Sequence, residues 1–310
     1  MTGAVVFAYH DVGVRGLSVL LDQGVDIRLV VTHEDDPAET LWFASVAELA
    51  RVHRWPCVTP SRRDLPSLAE RIRSLAPDLI FSFYYRYLLP PDILTIPHYG
   101  AYNMHGSLLP HYRGRAPVNW AILNGAQETG ASLHVMTAEP DAGDLVDQAA
   151  VPILVNDTAV DVMRKVTCAA EIVLARSLPA LRKGCAPRRP LDLARGSYFG
   201  RRRPEDGRID WRWPARKVHD LVRAVAPPYP GAFTDLPTGR LFVHGTRLDV
   251  VSARHSVPAL YEEEGRLYAD CGDGARLEVL ECVLAGERYD ARRHRQRWPR
   301  GGLPLGDSHA

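Results

Sequence analysis

The sequence predicts an open α/β sheet followed by a small β-rich domain, and three observations support this prediction. Over residues 1–185, short apolar runs alternate with segments of helical spacing, which is typical of a mainly parallel sheet. Residues 186–207 are rich in Arg, Pro and Gly with weak periodicity, which predicts a linker. Residues 208–288 contain short strand candidates between turns, which favours a barrel of the oligonucleotide- and oligosaccharide-binding (OB) type.

The individual elements are predicted from the period of the apolar residues. In the first domain the predicted strands are 4–9, 27–32, 79–84, 101–105 and 132–136, and the predicted helices are 14–21, 46–52, 68–75, 116–123 and 160–181. In the second domain a helix at 215–225 precedes strands at 240–243, 248–251, 266–269 and 276–283. Gly272-Asp273-Gly274 predicts a hairpin turn between the last two strands. The Arg-, Gly- and Pro-rich residues 289–310 are predicted to form a disordered tail.

Composition excludes several classes of protein. A chain of 310 residues suits two domains, and a formal net charge of +1 gives no global attraction to nucleic acid or to an acidic membrane. The N-terminus has no basic region ahead of its short apolar run, and no apolar stretch approaches the ~20 residues that span a bilayer. The cysteines are scattered and contain no Cys-x-x-Cys, which predicts a reducing, cytoplasmic location without disulfides: Cys57, Cys168, Cys185, Cys271 and Cys282.

Polar, glycine and proline residues are most concentrated between residues 102 and 144. Asn103 and His105 are two apart on a predicted strand, so their side chains share one face at the point where the strand gives way to a loop. Asp141 follows the end of a later predicted strand. Because ligands of open α/β sheets bind outside the carboxyl ends of the strands, these three side chains are expected to meet at one rim.

Such a trio suits direct acyl transfer to an amine, because it contains no serine or cysteine nucleophile. His105 can accept or relay the amine proton, and the Asn103 amide can donate to the oxyanion of the tetrahedral intermediate. Asp141 would orient His105 and stabilise its charged form. Spacing alone leaves a structural interpretation open, since asparagine and aspartate are ordinary turn residues and a histidine near a strand end is often only a satisfied polar group.

The motifs around these residues resemble those of the folate-dependent formyltransferases. The resemblance rests on residues 103–110 (Asn-Met-His-Gly-Ser-Leu-Leu-Pro), 112–117 and 141–144. Residues 5–11, 81–86 and 199–202 are similar to the formyltransferase domain of the bifunctional polymyxin-resistance enzymes, which formylate UDP-4-amino-4-deoxy-L-arabinose in lipid A modification. The resemblance implies a Rossmann-like formyltransferase fold for the first domain, N10-formyltetrahydrofolate as co-substrate, and the catalytic roles given above for Asn103, His105 and Asp141.

The resemblance also implies a set of folate contacts. Leu88 and Leu89 could form an apolar floor for the pterin, and Arg115 could hold a carboxylate, a phosphate or only its own loop. Tyr87 departs from the closest pattern, which has histidine there. The implied contacts are Tyr87, Leu88, Leu89, Arg115, Thr137, Ala138, Glu139, Pro140 and Asp141.

The acceptor is expected to be a nucleotide-linked amino sugar. Formyltransferases that act on tRNA need a basic surface, whereas residues 32–39 are short and acidic and would repel phosphates. The arginines near residues 188–203 fit a nucleic-acid patch, a diphosphate clamp or a solvated linker, and the linker is favoured over the nucleic-acid patch. The alternatives are methionyl-tRNA formylation, hydrolysis of formyltetrahydrofolate, and folate or nucleotide binding without catalysis. His10, His111 and His134 fit no zinc spacing, so no metal is predicted.

Overall fold

The computed structural model describes residues 1–37, 40–298 and 301–305. The chain forms two compact units, each built from three segments. The first unit consists of Met1–Pro117, Glu128–Pro152 and Val162–Gly200, and the second of Val118–Gln127, Ile153–Asp161 and Arg201–Ala310. The boundary at residues 200 and 201 falls inside the predicted linker, and two short segments predicted for the first domain belong to the second unit.

The first unit is organised around a seven-stranded sheet with the order β3-β2-β1-β4-β5-β7-β8. Its strands in chain order are β1 (Gly3–Ala8), β2 (Asp26–Val31), β3 (Cys57–Val58), β4 (Leu79–Phe83), β5 (Gly100–His105), β7 (Glu128–Val135) and β8 (Leu145–Pro152), and the short β6 (Arg113–Gly114) pairs instead with β9 (Tyr198–Phe199). The five strands from β3 to β5 are parallel, and β7 and β8 are antiparallel. The Rossmann-like α/β prediction is confirmed, with an antiparallel edge and a strand, β8, that the periodicity analysis did not include.

The helices that alternate with these strands bury apolar faces. They are α1 (His10–Asp22), α2 (Val46–His53), α3 (Leu68–Ser74), α4 (Pro91–Leu94), α5 (Pro117–Leu123) and α6 (Ala159–Leu181). In α1 the buried residues Val12, Leu17 and Leu20 recur at helical spacing. In α2 the Ser45 hydroxyl accepts a hydrogen bond from the Glu48 N–H at 3.2 Å and so satisfies one orphan donor of the first turn.

The second unit is rich in β-structure, as predicted. Its elements in chain order are α7 (Ala215–Val225), β10 (Ala232–Leu236), β11 (Gly239–Ser252), β12 (Ala259–Glu263), β13 (Arg266–Asp270), β14 (Ala275–Leu284), β15 (Glu287–Arg288), α8 (Ala291–Arg297) and β16 (Leu303–Pro304). The sheet has the antiparallel order β10-β11-β14-β13-β12-β16, with β15 also on β14. The predicted hairpin turn is present, with the Cys271 N–H donating to the Ala275 carbonyl at 2.9 Å.

Two expectations about irregular segments need correction. Within the predicted linker, residues 186–200 pack with the first unit, because β9 pairs with β6 and the Arg189 N–H donates to the Leu145 carbonyl at 2.9 Å. Within the predicted disordered tail, α8 forms because the Asp290 side chain caps it and His294 is buried, and β16 forms because Leu303 pairs with Leu260. The rest of that prediction, at residues 299–300 and 306–310, lies outside the described residues.

Along the residues that the structure describes, no helix combines the length and the apolar character needed to cross a membrane.

Candidate active site

The carboxyl end of β5 presents Asn103 and His105 on one face of the sheet. Met104 between them points to the opposite face and is buried in the core. The antiparallel register of β5 with β7 places Asn103 opposite His134, and His105 opposite Ser132. Residues that lie opposite each other in an antiparallel pair project to the same face, so His134 belongs beside the two predicted residues.

Asp141 reaches this face from the loop between β7 and β8. Its backbone has a φ of 52°, a left-handed conformation that turns the loop back over the sheet. Gly143 permits the return, because a Cβ there would lie 2.0 Å from the Val135 carbonyl oxygen. The Gly114 N–H donates to Asp141 Oδ2 at 2.9 Å and fixes the carboxylate. The loop is therefore shaped to deliver one carboxylate to the strand face.

The structure brings the three predicted catalytic residues together around Asp141 Oδ1. This oxygen lies 3.3 Å from Asn103 Nδ2 and 3.5 Å from His105 Nδ1. Burial by itself raises the pKa of the Asp141 carboxyl, but the charge of the His105 imidazole, the neighbouring His134 ring and the hydrogen bond from the Gly114 N–H outweigh it and hold that pKa well below its ordinary value. The carboxylate is thus ionised and can stabilise positive charge on His105.

His134 is a fourth member of the cluster, although its spacing from the other histidines predicted neither a metal site nor any other role. Its Nε2 lies 3.1 Å from Asn103 Nδ2 and 3.4 Å from Asp141 Oδ1, and its Nδ1 lies 2.9 Å from the Val135 carbonyl oxygen. The side chain is only 2% exposed. The available signal was its position two residues after Ser132 on the predicted strand that leads to Asp141, but the pairing register with β5 was needed to use it.

The loop after β5 holds His105 from its other side. His105 Nε2 lies 2.9 Å from the Tyr112 carbonyl oxygen, which can only accept a hydrogen bond, so Nε2 carries a hydrogen. The Tyr112 N–H in turn donates to Ser197 Oγ at 2.8 Å, and its ring stacks on Phe199. Nδ1, which faces Asp141, is therefore the nitrogen that remains for proton exchange.

Two serines anchor the start of the same loop. The Ser107 hydroxyl donates to the His111 carbonyl at 2.6 Å, and the Ser132 hydroxyl donates to the Ser107 carbonyl at 2.6 Å. Ser132 Oγ also accepts from the Leu109 N–H at 3.1 Å. These bonds satisfy buried backbone groups and explain physically why serine follows the Asn-x-His motif.

A cavity of about 310 Å³ lies beside the loop that ends in Asp141. Three of the predicted folate contacts line it, namely Leu88, Leu89 and Ala138, together with Arg62, Leu65, Pro66, Pro90 and Pro91. Leu88 is 62% exposed, whereas Leu89 is buried against the core. An exposed leucine over an apolar wall is suited to contact a planar ligand.

The comparisons with known proteins identify the family. Residues 18–178 match the model described as "Formyl transferase", and residues 202–292 match "Formyl transferase, C-terminal domain". The chain belongs to the formyl transferase family. It is therefore a formyltransferase with both of the family's domains.

Solved structures of other formyltransferases share this fold. An N-formyltransferase from Helicobacter canadensis, in complex with folinic acid and dTDP-3-aminofucose, is 19% identical, with a TM-score of 0.73 over 93% of this chain and 100% of its own. A 4-N formyltransferase from Francisella tularensis is 20% identical, with a TM-score of 0.63 over 78% and 96%. Glycinamide ribonucleotide transformylase 1 from Symbiobacterium toebii is 26% identical, with a TM-score of 0.53 over 62% and 95%.

The other predicted folate contacts of this formyltransferase lie outside the residues that line the cavity. Tyr87 packs edge-on against His33, with ring centroids 4.7 Å apart, and Arg115 is exposed while its N–H bonds the Phe199 carbonyl. Thr137 and Glu139 shape the loop, since the Thr137 hydroxyl donates to the Glu139 carbonyl at 2.9 Å. Pro140 is half-buried next to Asp141. Their contact with folate stays a prediction.

A row of aromatic rings leads away from the catalytic cluster along the carboxyl end of β1. A Cβ on Gly106, next to His105, would lie 1.9 Å from Tyr84 Oη. The Tyr84 ring lies 6.0 Å from that of His10, which lies 4.7 Å from that of Trp42. Burial lowers the pKa of His10 to about 4, so this ring is neutral near pH 7, and its Nδ1 has no hydrogen-bond partner among the described residues. The row therefore offers stacking surface.

Within residues 1–37, 40–298 and 301–305, no three His, Cys, Asp or Glu side chains are grouped as metal ligands would be.

Proposed function

We propose that this formyltransferase moves the formyl group of N10-formyltetrahydrofolate to the 4-amine of UDP-4-amino-4-deoxy-L-arabinose, as in the lipid A modification that confers polymyxin resistance. The observation that carries the chemistry is the meeting of the Asn103 amide, the His105 imidazole and the Asp141 carboxylate within 3.5 Å at the end of β5. The relative from Helicobacter canadensis, in complex with folinic acid and an amino sugar linked to a nucleotide, supports this pairing of donor and acceptor.

In the proposed reaction the lone pair of the amine attacks the formyl carbon and pushes the carbonyl electrons onto oxygen. The Asn103 amide donates a hydrogen bond to that oxyanion, which stabilises the tetrahedral intermediate; losing such a donor costs about 2.7–4 kcal/mol. The ammonium formed by attack gives its proton to His105 Nδ1, and the charged ring is stabilised by Asp141. When the intermediate collapses, the C–N10 bond breaks and N10 takes the proton from His105, so that tetrahydrofolate leaves, His105 is neutral again and no covalent enzyme intermediate is formed.

The donor is proposed to bind in the cavity beside the Asp141 loop. Leu88 and Leu89 would contact the pterin and the aminobenzoyl ring, and Ala138 would place that ring near the catalytic cluster. Arg62, which also lines this cavity, has a guanidinium that suits the glutamate carboxylate of folate. The cavity thus combines an apolar wall with one cationic group, as the amphiphilic donor requires.

The acceptor is proposed to lie along the aromatic row that begins at Tyr84. The ring of Trp42 could stack on a base or a sugar, and the row starts at Tyr84, which packs against Gly106 next to His105. The nearby acidic segment argues against a polyanionic acceptor stem, since the Tyr9 hydroxyl donates to Asp35 at 2.8 Å and holds this carboxylate at the end of β1.

We place the reaction in the cytoplasm. The five cysteines are all free thiols, which suits a reducing compartment.

The test is release of tetrahydrofolate from N10-formyltetrahydrofolate with three acceptors in parallel: UDP-4-amino-4-deoxy-L-arabinose, methionyl-tRNA and water alone. The proposal expects rapid release only with the UDP-sugar, together with a product heavier by one CO unit. Equal release without any acceptor would identify a hydrolase instead. Release that requires methionyl-tRNA and falls steeply with salt would identify the tRNA as the acceptor.

A further inference from the structure

We propose that His134 is a positioning residue for formyl transfer, because its Nε2 fixes one hydrogen of the Asn103 amide and so aims the other at the oxyanion. The inference rests on the proposed role of Asn103 as the oxyanion donor. His134 lies on β7, the strand next to β5, and contacts both Asn103 and Asp141.

The hydrogen-bond partners of His134 define its tautomer. Nδ1 lies 2.9 Å from the Val135 carbonyl oxygen. A carbonyl oxygen has lone pairs and no hydrogen to offer, so Nδ1 must carry the hydrogen of this contact. In a neutral imidazole the other nitrogen is then bare and acts as an acceptor. The nearest donor to that Nε2 is Asn103 Nδ2 at 3.1 Å.

This tautomer also fixes the orientation of the Asn103 amide. Its nitrogen lies within reach of two acceptors, His134 Nε2 at 3.1 Å and Asp141 Oδ1 at 3.3 Å, and it has two hydrogens to give. If the amide were turned over, its oxygen would face a lone pair and a carboxylate. Both acceptors therefore select the same orientation.

The two hydrogen bonds of the Asn103 amide differ in how readily the substrate oxyanion can replace the acceptor. Asp141 Oδ1 lies 3.3 Å from Asn103 Nδ2 and 3.5 Å from His105 Nδ1, so the bond of the amide to Asp141 is longer than its 3.1 Å bond to His134 and is shared with His105. An oxyanion that arrives beside His105 can take over the hydrogen now directed at Asp141. The hydrogen on His134 stays in place and keeps the amide from rotating during that exchange.

The position of His134 makes it a rigid support. It lies directly opposite Asn103 in the β5–β7 register, on a strand that is paired on both sides, and its side chain is almost completely buried. The His134 side chain is therefore already fixed in one rotamer when the protein folds, so no further entropy is lost by ordering it in the transition state.

The variants His134→Gln and His134→Leu test the proposal. The Oε1 atom of glutamine can reach the place of Nε2 and accept from Asn103, whereas leucine fills similar space without an acceptor. We expect kcat of the leucine variant to fall about 10- to 100-fold with little change in the KM of either substrate, and kcat of the glutamine variant to stay within about fivefold of wild type. Thermal melting and folate binding by both variants check that they fold.

A double-mutant cycle separates positioning from a merely structural role. On an Asn103→Ala background the His134→Leu change should cost almost nothing further in kcat, because the group it positions is gone. An undiminished loss on that background would overturn the proposal. So would equal losses in the glutamine and leucine variants.

A measurement without any acceptor keeps this inference separate from the proposed acceptor. Nitrogen NMR of the histidine rings should show Nδ1 of His134 protonated and Nε2 bare in the resting enzyme, and the Asn103 side-chain amide signal should shift in the leucine variant but remain in the glutamine variant. A proton on Nε2 in the resting enzyme would refute the inference. If wild type fails to use the UDP-sugar, the acceptor assignment falls while this result still stands.

Discussion

Asp141 in the first unit and Asp270 in the second are both buried carboxylates surrounded by donors, but their neighbours hold them differently. Asp270 is 0% exposed and accepts from the Arg254 and His255 N–H groups, His255 Nδ1 and the Tyr261 hydroxyl at 2.8–3.2 Å. Asp141 has one short contact, from the Gly114 N–H, and its other oxygen has only long contacts, at 3.3 Å to Asn103 and 3.5 Å to His105, with His134 3.4 Å away. Short, fully used contacts stabilise a fold, whereas long, shared contacts leave room for a substrate atom.

Arg276 extends the tight network of the second unit. Its Nε donates to Asp249 at 2.8 Å, one of its terminal nitrogens donates to Glu263 at 2.6 Å and to the Tyr261 hydroxyl at 3.3 Å, and it lies over the Tyr268 ring. Substitutions in this network should therefore change stability, and substitutions around Asp141 should change turnover.

Replacing His105 by alanine should have the largest effect. Without the imidazole the amine proton has no acceptor beside Asp141, so kcat should fall by about 10²–10⁴ while the melting temperature and folate binding change little. His98→Ala, at an exposed histidine just before β5, is the control and should leave kcat unchanged. Steady-state kinetics and a thermal melt measure both. A near-normal kcat would remove His105 from the mechanism.

Replacing Asp270 by asparagine should show the opposite pattern. The new amide nitrogen faces N–H donors and leaves buried groups unpaired, so the free energy of unfolding should fall by about 3–5 kcal/mol. The kcat per folded molecule should stay at the wild-type value. Urea denaturation monitored by tryptophan fluorescence gives the first quantity, and Glu281→Gln at an exposed site is the control. A large loss of kcat in folded Asp270→Asn protein would show that Asp270 contributes to turnover and not only to stability.

Replacing Leu88 by serine should weaken folate binding by about five- to tenfold, since ~1 kcal/mol of apolar contact with the ligand is lost. Stability should not change, because the side chain is already 62% exposed. Leu280 is 54% exposed in the second unit, so Leu280→Ser is a matched control that should leave folate binding intact. Equilibrium titration with a formyl-folate analogue measures the Kd of both variants. Equal binding by both variants would place the donor elsewhere.

The smallest effect concerns pH. The folded pKa of Asp141 is lowered, so its ionisation contributes stability that is complete above the unfolded value of about 3.9 and is lost as pH falls through the folded value. The stability difference between wild type and Asp141→Asn should therefore shrink on going from about pH 6 to about pH 3. Denaturant titrations at several pH values measure it. A difference that is constant over this range would mean that the carboxylate gains nothing from its neighbours.

Local patterns predicted the sheet and the common face of Asn103 and His105, whereas the meeting of Asp141 with them was expected from the order of the strands and from the resemblance to formyltransferases. Strand periodicity located β4 and β5, and the two-residue spacing of Asn103 and His105 fixed their common face. His134 could not be assigned in the same way, since its role follows from the pairing of β5 with β7, which no local pattern contains. The same holds for the Tyr112 carbonyl, because backbone groups carry no sequence signal.

The elements that were misjudged show where tertiary contacts override local preference. Helix α1 begins at His10, earlier than predicted, although Gly13 and Gly16 disfavour a helix. A Cβ on Gly16 would lie 2.6 Å from the Phe83 ring, so the glycine permits close packing that offsets its low propensity. Strand β11 runs as one element where two were predicted, because its register shifts around Gly245 without ending the pairing.

Asn103 and His134 lie opposite each other on β5 and β7, so the geometry of the catalytic centre depends on the register between these two strands. Inserting or deleting one residue in either strand would exchange inward and outward faces and dismantle the centre in one step. The loops that follow β2 and β4 carry no such constraint. Chimeric enzymes with new acceptors should therefore be obtained by exchanging those loops between family members while both strands are kept unchanged.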